Sequence, residues 1–124
     1  MYATQKGKGK NAWIDIQFNR LISISKVEIQ QLSTGQFKTF RLSFSNGQSQ
    51  TMSLSDTDRR WSTATINPPI SSTSLRLDAL ELYSPQNADS WAYQIREIRL
   101  QGYESTGKYA ILYQNVRTLS HLLS

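Results

Sequence analysis

Acid–base chemistry in this chain would have to come from one histidine and a scatter of carboxylates. His121 is the only histidine, it lies near the C-terminus, and it cannot by itself supply a Ser-His-Asp arrangement. Asp15, Glu28, Asp56, Asp58, Asp78, Glu81, Asp89 and Glu97 are spread over separate segments, and no spacing singles out a pair for glycoside hydrolysis. Asp15, Glu28 and Glu97 alternate with apolar residues and read as exposed strand positions. Asp56-Thr57-Asp58 begins like a calcium loop but lacks the glycine and later acidic ligands of an EF-hand. Lys6-Gly7-Lys8-Gly9-Lys10 lacks the Gly-Lys-Ser/Thr ending of a phosphate-binding loop, and no strand precedes it. It reads as a flexible basic arm that attracts anionic polymers without sequence specificity. There is no cysteine, which removes disulfides, thiol nucleophiles and Cys-ligated zinc or iron–sulfur sites. An enzyme is not expected.

Aromatic residues offer a different chemistry. Trp13, Trp61 and Trp91 sit at or beside the ends of apolar-alternating runs, and Tyr83 and Tyr93 flank one polar stretch. Aromatic faces there suit stacking on sugar rings or bases, and equally suit capping the open end of a core. For each tryptophan taken singly, core packing is the expectation.

The elements that would position these residues are strands. Period-two alternation dominates from residue 12 to 102 and gives seven candidates. They are Trp13–Phe18, Ser25–Gln31, Phe37–Phe44, Gln48–Leu54, Trp61–Ile66, Ser74–Leu82 and Tyr93–Gly102. Ser45-Asn46-Gly47 fits a tight hairpin, and Pro68-Pro69 is expected to stop the fifth strand because proline cannot donate to a ladder. In the sixth, the apolar phase passes from Leu75, Leu77 and Ala79 to Leu80 and Leu82, which predicts a β-bulge near Ala79. In the seventh, Ile95, Ile98 and Leu100 cannot share one face unless Arg96-Glu97 is irregular.

A chain of 124 residues with 38% apolar and 19% charged content suits one domain with a modest core. No apolar run approaches the ~20 residues of a membrane span. The basic start is not followed by an apolar region, so no signal peptide is expected. The net charge of +5 favours acidic partners in general. After Gly102 the character changes: Tyr109, Leu112, Val116, Leu119 and Leu123 recur at three–four spacing, predicting a short amphipathic helix or a flexible tail. The expected organisation is a basic arm at 1–10, an antiparallel jelly-roll-like β-sandwich at 11–104 and a tail at 105–124.

The order of the motifs carries a resemblance. AWIDIQF is followed by ISKVEIQ, then FKTFRLSFSNGQSQTMSL, then INPPISSTSLRLDAL and finally SWAYQIREIRLQGYE. This succession, over roughly residues 11 to 103, resembles the discoidin, or coagulation-factor type C, family of the galactose-binding-like superfamily. Its strands typically read Trp-Ile-x-Ile-x-Phe/Leu, Ile-x-x-Val-x-Ile and, last, close to AYQIREIRLQG. The resemblance implies a sandwich that binds ligands through loops at one end and is not itself catalytic. Family ligands include cell-surface and matrix glycans, proteins and phospholipid headgroups, and the setting the resemblance implies is extracellular.

Carried onto this chain, the resemblance places ligand contacts near Ser33 to Phe37, Asp56 to Trp61 and Pro85 to Trp91. Arg59, Trp61, Asn87, Asp89 and Trp91 are the candidate binding residues, combining guanidinium, amide, carboxylate and aromatic faces. Many relatives hold a structural calcium between an early loop and a glutamate of the last strand, and Glu97 matches that glutamate. Residues 1–10 are too short to supply the early segment, so the expectation is an N-terminally shortened domain or a piece of a longer protein, and no cofactor. The expected function is recognition of carbohydrate or a glycosylated surface, with other domains of a longer parent chain as further partners. A protein-interaction or scaffold role, or attraction of anionic polymer or lipid headgroups, is the alternative; specific nucleic-acid recognition is not expected.

Overall fold

The computed structural model describes residues 2–3, 11–32, 34–87, 93–104 and 109–114, the first and last of these stretches by backbone alone. The strands are β1 (Tyr2–Ala3), β2 (Trp13–Gln31), β3 (Phe37–Phe44), β4 (Ser49–Ser53), β5 (Trp61–Leu82), β6 (Gln94–Glu104) and β7 (Tyr109–Gln114). All pairings are antiparallel, in the order β1-β6-β2-β5-β3-β4, with β7 also on β6. This is the all-β antiparallel class that the alternation predicts.

Two long strands organise the sheet. The expected strands at 13–18 and 25–31 are one strand, β2, and those at 61–66 and 74–82 are one strand, β5. The first half of β2 pairs with the second half of β5, from Trp13↔Asp78 to Gln17↔Ser74. After one register shift they pair from Ile22↔Ser72 to Ile24↔Ile70, and after a second from Lys26↔Thr65 to Gln30↔Trp61. Between these ladders each strand carries extra residues. Asn19 takes a left-handed φ of 61°, which asparagine tolerates, within the exposed step from Asn19 to Leu21. Pro68 and Pro69 do not end β5 as expected. They lie exposed where the ladder skips from Thr65 to Ile70, so their missing N–H groups break no bond with β2.

These irregularities let one strand pair turn a corner and serve two layers. β3 and β4 extend the first layer, and β6 extends the second. Their inward faces meet in one core that includes Ile14, Ile16, Leu75, Leu77, Phe40 and Leu42 from the first layer. From the second it includes Ile24, Val27, Ile29, Ile98 and Leu100. Each fully buried side chain of this size contributes about 1.5–3 kcal/mol of transfer free energy.

The phase changes anticipated in β5 and β6 are present. Phe40 pairs with Ala79 but Thr39 with Glu81, so Leu80 is the additional residue. It is 46% exposed rather than inward as its apolar character suggests. On β6, Gln30 faces Glu97 whereas Gln31 faces Ile95, leaving Arg96 as the bulged residue. The bulge is what lets Ile95, Ile98 and Leu100 all be buried. A third bulge, at Ser25, shifts β2 against both neighbours and moves its buried positions from Ile22 and Ile24 to Val27 and Ile29.

The tail departs from expectation over 109–114. There the chain forms β7, pairing from Tyr103↔Tyr109 to Ile98↔Gln114, instead of a helix. An open edge of β6 satisfies the backbone of that segment, and tertiary pairing overrides its helical spacing. The remainder of the tail with His121, the Lys6–Lys10 arm, Ser33, Asp89 and Trp91 lie outside the described residues. Among the described residues no helix is long and apolar enough to cross a membrane.

Candidate functional site

Three connections meet at one end of the sheet: β2 to β3, β4 to β5, and β5 to β6. They are the loops on which the candidate contacts were placed. Three buried glutamines hold them together. Gln31 is 2% exposed, and its Oε1 accepts from the Phe37 N–H at 2.8 Å while its Nε2 donates to the Phe37 carbonyl at 2.7 Å. The same Nε2 lies 3.3 Å from the Ser55 carbonyl. Gln36 accepts the Gln94 N–H on its Oε1 at 2.7 Å and the Tyr83 N–H on its carbonyl at 2.8 Å. Gln30 donates through Nε2 to the Arg59 carbonyl at 2.7 Å and accepts from Arg96 Nη1, also at 2.7 Å.

Further bonds close the bracing. The Gly35 N–H donates to Asp56 Oδ1 at 2.7 Å, the Ser84 hydroxyl to the Gly35 carbonyl, and the Tyr83 hydroxyl to the Leu54 carbonyl. Tyr93 is fully buried against Phe37, with ring centroids 5.6 Å apart, and its hydroxyl donates to the Ser84 carbonyl at 2.9 Å. Buried backbone groups need partners, and loops rarely provide them for one another. Here side-chain amides and hydroxyls do so.

Sequence reading passed over the glutamines. A signal existed for one of them: the alternation Val27, Ile29 puts Gln31 at the next inward position. A polar residue in phase with the core marks a buried hydrogen-bonding duty.

Of the candidate binding residues, Arg59, Trp61 and Asn87 are described. Arg59 takes a left-handed φ of 60°, its N–H donates to the Gln31 carbonyl at 3.0 Å, and its side chain is 64% exposed. Its Nε lies 4.0 Å from Asp58 Oδ2, an exposed pairing of small energetic weight. Asn87 ends the short 3₁₀ turn Pro85–Asn87, with its N–H on the Ser84 carbonyl at 3.0 Å.

Trp61 opens β5 opposite Gln30, half-buried on the outer face of the second layer. The Arg99 guanidinium stands 4.6 Å from its ring centre, with Glu28 Oε1 3.9 Å from Arg99 Nη1. Trp13 has the same arrangement on the first layer, with Arg76 at 4.5 Å. Neither tryptophan is in the core, contrary to expectation. Each covers the outside of the sheet beneath a cation, where indole area is shielded and the ring quadrupole attracts charge.

Glu97 is half-buried, with Gln30 as its register partner on β2. Among the described residues no group of three or more His, Cys, Asp or Glu could hold a metal ion. Asp56, from the segment that begins like a calcium loop, serves as acceptor for the Gly35 N–H.

Net charge is partitioned unevenly. The described residues hold nine Lys and Arg against eight Asp and Glu, so only one of the five net positive charges lies there. Comparison with family models, curated proteins and solved structures finds no match for this chain.

Proposed function

We propose that this protein is a non-catalytic recognition module that binds carbohydrate, on a glycosylated cell-surface or matrix ligand, through the three loops at one end of its sheet. The observation that carries this reading is the glutamine-braced convergence of those loops. Weak polar ligands such as sugars reward a site whose backbone is ordered before binding, because less entropy is lost on association. Arg59 and Asn87 supply guanidinium and amide donors there, and Trp61 supplies an aromatic edge at the start of β5. Asp89 and Trp91 belong to the same β5–β6 connection in sequence. The succession of strand motifs resembling the discoidin family supports the same reading.

Of the alternatives to it, a protein-interaction or scaffold role and attraction of anionic polymers or headgroups by a basic surface, the second draws little support from the described residues, whose charges nearly balance. A glycan array combined with titration of tryptophan fluorescence by galactosides and heparin tests the proposal. Binding that weakens on Arg59→Ala or Asn87→Ala supports it. Silence across neutral and sulfated sugars alike overturns it.

A further inference from the structure

Among the described residues, the last strand of the sheet order, β4, presents an unguarded edge. Its hydrogen-bonding phase follows from the two bonds that bracket its ladder with β3. Phe44 N–H donates to the Gln48 carbonyl and Leu54 N–H to the Lys38 carbonyl, both at 2.9 Å. In an antiparallel ladder, hydrogen-bonded and non-hydrogen-bonded pairs alternate. Leu42↔Gln50 and Phe40↔Met52 are therefore bonded pairs, while Ser49, Thr51 and Ser53 point their N–H and C=O groups away from β3. All three residues are exposed, and no backbone bond joins β4 to any described strand other than β3. On the side toward β5 the connections use side chains: Gln50 Nε2 to the Thr65 carbonyl at 3.4 Å, and the Ser55 N–H to Ser62 Oγ at 2.8 Å.

Proteins usually protect such an edge with lysine, proline, a bulge or an inward charge. The sequence Ser49-Gln50-Thr51-Met52-Ser53 has none of these. It is also complementary to itself. Turned antiparallel about Thr51, it sets Thr51 opposite Thr51 of a second copy and Ser49 opposite Ser53. These are Ser/Thr pairs of the kind that stabilise neighbouring strands. No like charges meet, and all six outward backbone groups find partners.

The geometry points to a second copy of this chain as the occupant of the β4 edge, forming a two-fold dimer through antiparallel β4–β4 pairing. A contact of this kind is isologous and closes on itself. Five residues make a small interface, so the dimer is weak. β4 runs toward the braced loop end, so antiparallel pairing aims the two loop sets in opposite directions and makes the pair a bridge between two surfaces.

Sedimentation velocity from about 10 μM to about 1 mM, the range in which small interfaces associate, tests the inference. The expected result is a concentration-dependent shift toward twice the monomer mass. Thr51→Pro removes an N–H that β3 does not use, and Thr51→Lys sets like charges face to face on the two-fold. Both variants should stay monomeric with unchanged circular dichroism. Amide exchange at Ser49, Thr51 and Ser53 should slow as concentration rises, while Gln50 and Met52 stay constant. A wild-type monomer throughout the range overturns the inference, as does a dimer that survives Thr51→Pro. Slow exchange at the three amides at every dilution also overturns it and assigns the edge to a segment of this chain.

Discussion

The Gln31 side chain pairs with the Phe37 backbone in both directions, at 2.8 Å to its N–H and 2.7 Å to its carbonyl. One side-chain amide thus imitates a rung of β-ladder where the chain leaves β2 and enters β3. Gln31→Leu keeps most of the volume and orphans both backbone groups. A loss of about 2–4 kcal/mol is expected, read as a lower urea midpoint at unchanged slope. Gln31→Glu adds a pH signature. Burial disfavours the carboxylate and raises that carboxyl's folded-state pKa above its unfolded value. The protonated form can both donate and accept as glutamine does. Stability of this variant should therefore approach wild type below the unfolded pKa and fall as pH rises through the folded one. A stability difference from wild type that stays flat from about pH 4, near the ordinary glutamate pKa, up to about pH 8 would count against the ladder-like role.

Gly102 and Gly47 should respond differently to alanine. A Cβ on Gly102 would stand 2.2 Å from the Ser23 carbonyl oxygen, where β6 runs close against β2, and backbone would have to move. Gly102→Ala should cost at least about 3 kcal/mol, at the upper end of overpacking losses. Gly47 closes the β3–β4 hairpin at φ +91° with open space around its Cβ position. Gly47→Ala then carries only conformational strain, about 1–2 kcal/mol. Thermal denaturation that reverses this order would contradict the register of β6 on β2.

Arg59 separates stability from recognition. Its left-handed φ is unfavourable for any residue with a Cβ, whereas its backbone bonds to Gln31 and Gln30 do not depend on the side chain. Arg59→Gly should leave stability unchanged or raise it by up to about 1 kcal/mol, strain relief being partly offset by unfolded-state entropy. The same change should weaken sugar binding. Loss of both together would mean that the side chain serves the fold instead.

The Arg99–Trp61 stack has an optical readout. Arg99→Ala uncovers the indole, so its emission should move to longer wavelength and acrylamide quenching should rise. Stability should fall by about 0.5–1 kcal/mol. Unchanged quenching would mean that the guanidinium does not shield the ring in solution.

Bulges were the most legible irregularities in the sequence, because a bulge shifts the phase of an alternating pattern. Ile95, Ile98 and Leu100 betray the one at Arg96, and the run through Leu80 betrays that in β5. The continuity of β2 and β5 was hidden, since Asn19, Arg20, Pro68 and Pro69 look locally like strand ends. Only a partner strand with its own extra residues makes them corners. Strand and helix spacing compete over Tyr109–Gln114, and the available edge of β6 decides it. The convergence of the loops was read through the resemblance of motifs. The means of holding them was not, because glutamine is ordinarily a surface residue and its burial depends on backbone groups distant in sequence.

The braced end also separates two evolutionary pressures. Apart from Arg96 on Gln30, each bond of the brace has a main-chain atom at one end or both. The exposed side chains of Thr57, Arg60 and Gln86 form none of these bonds. Those positions can drift, or be randomised in a display library, while the framework keeps its shape. On the proposed reading, single substitutions there would change what is bound without changing the fold.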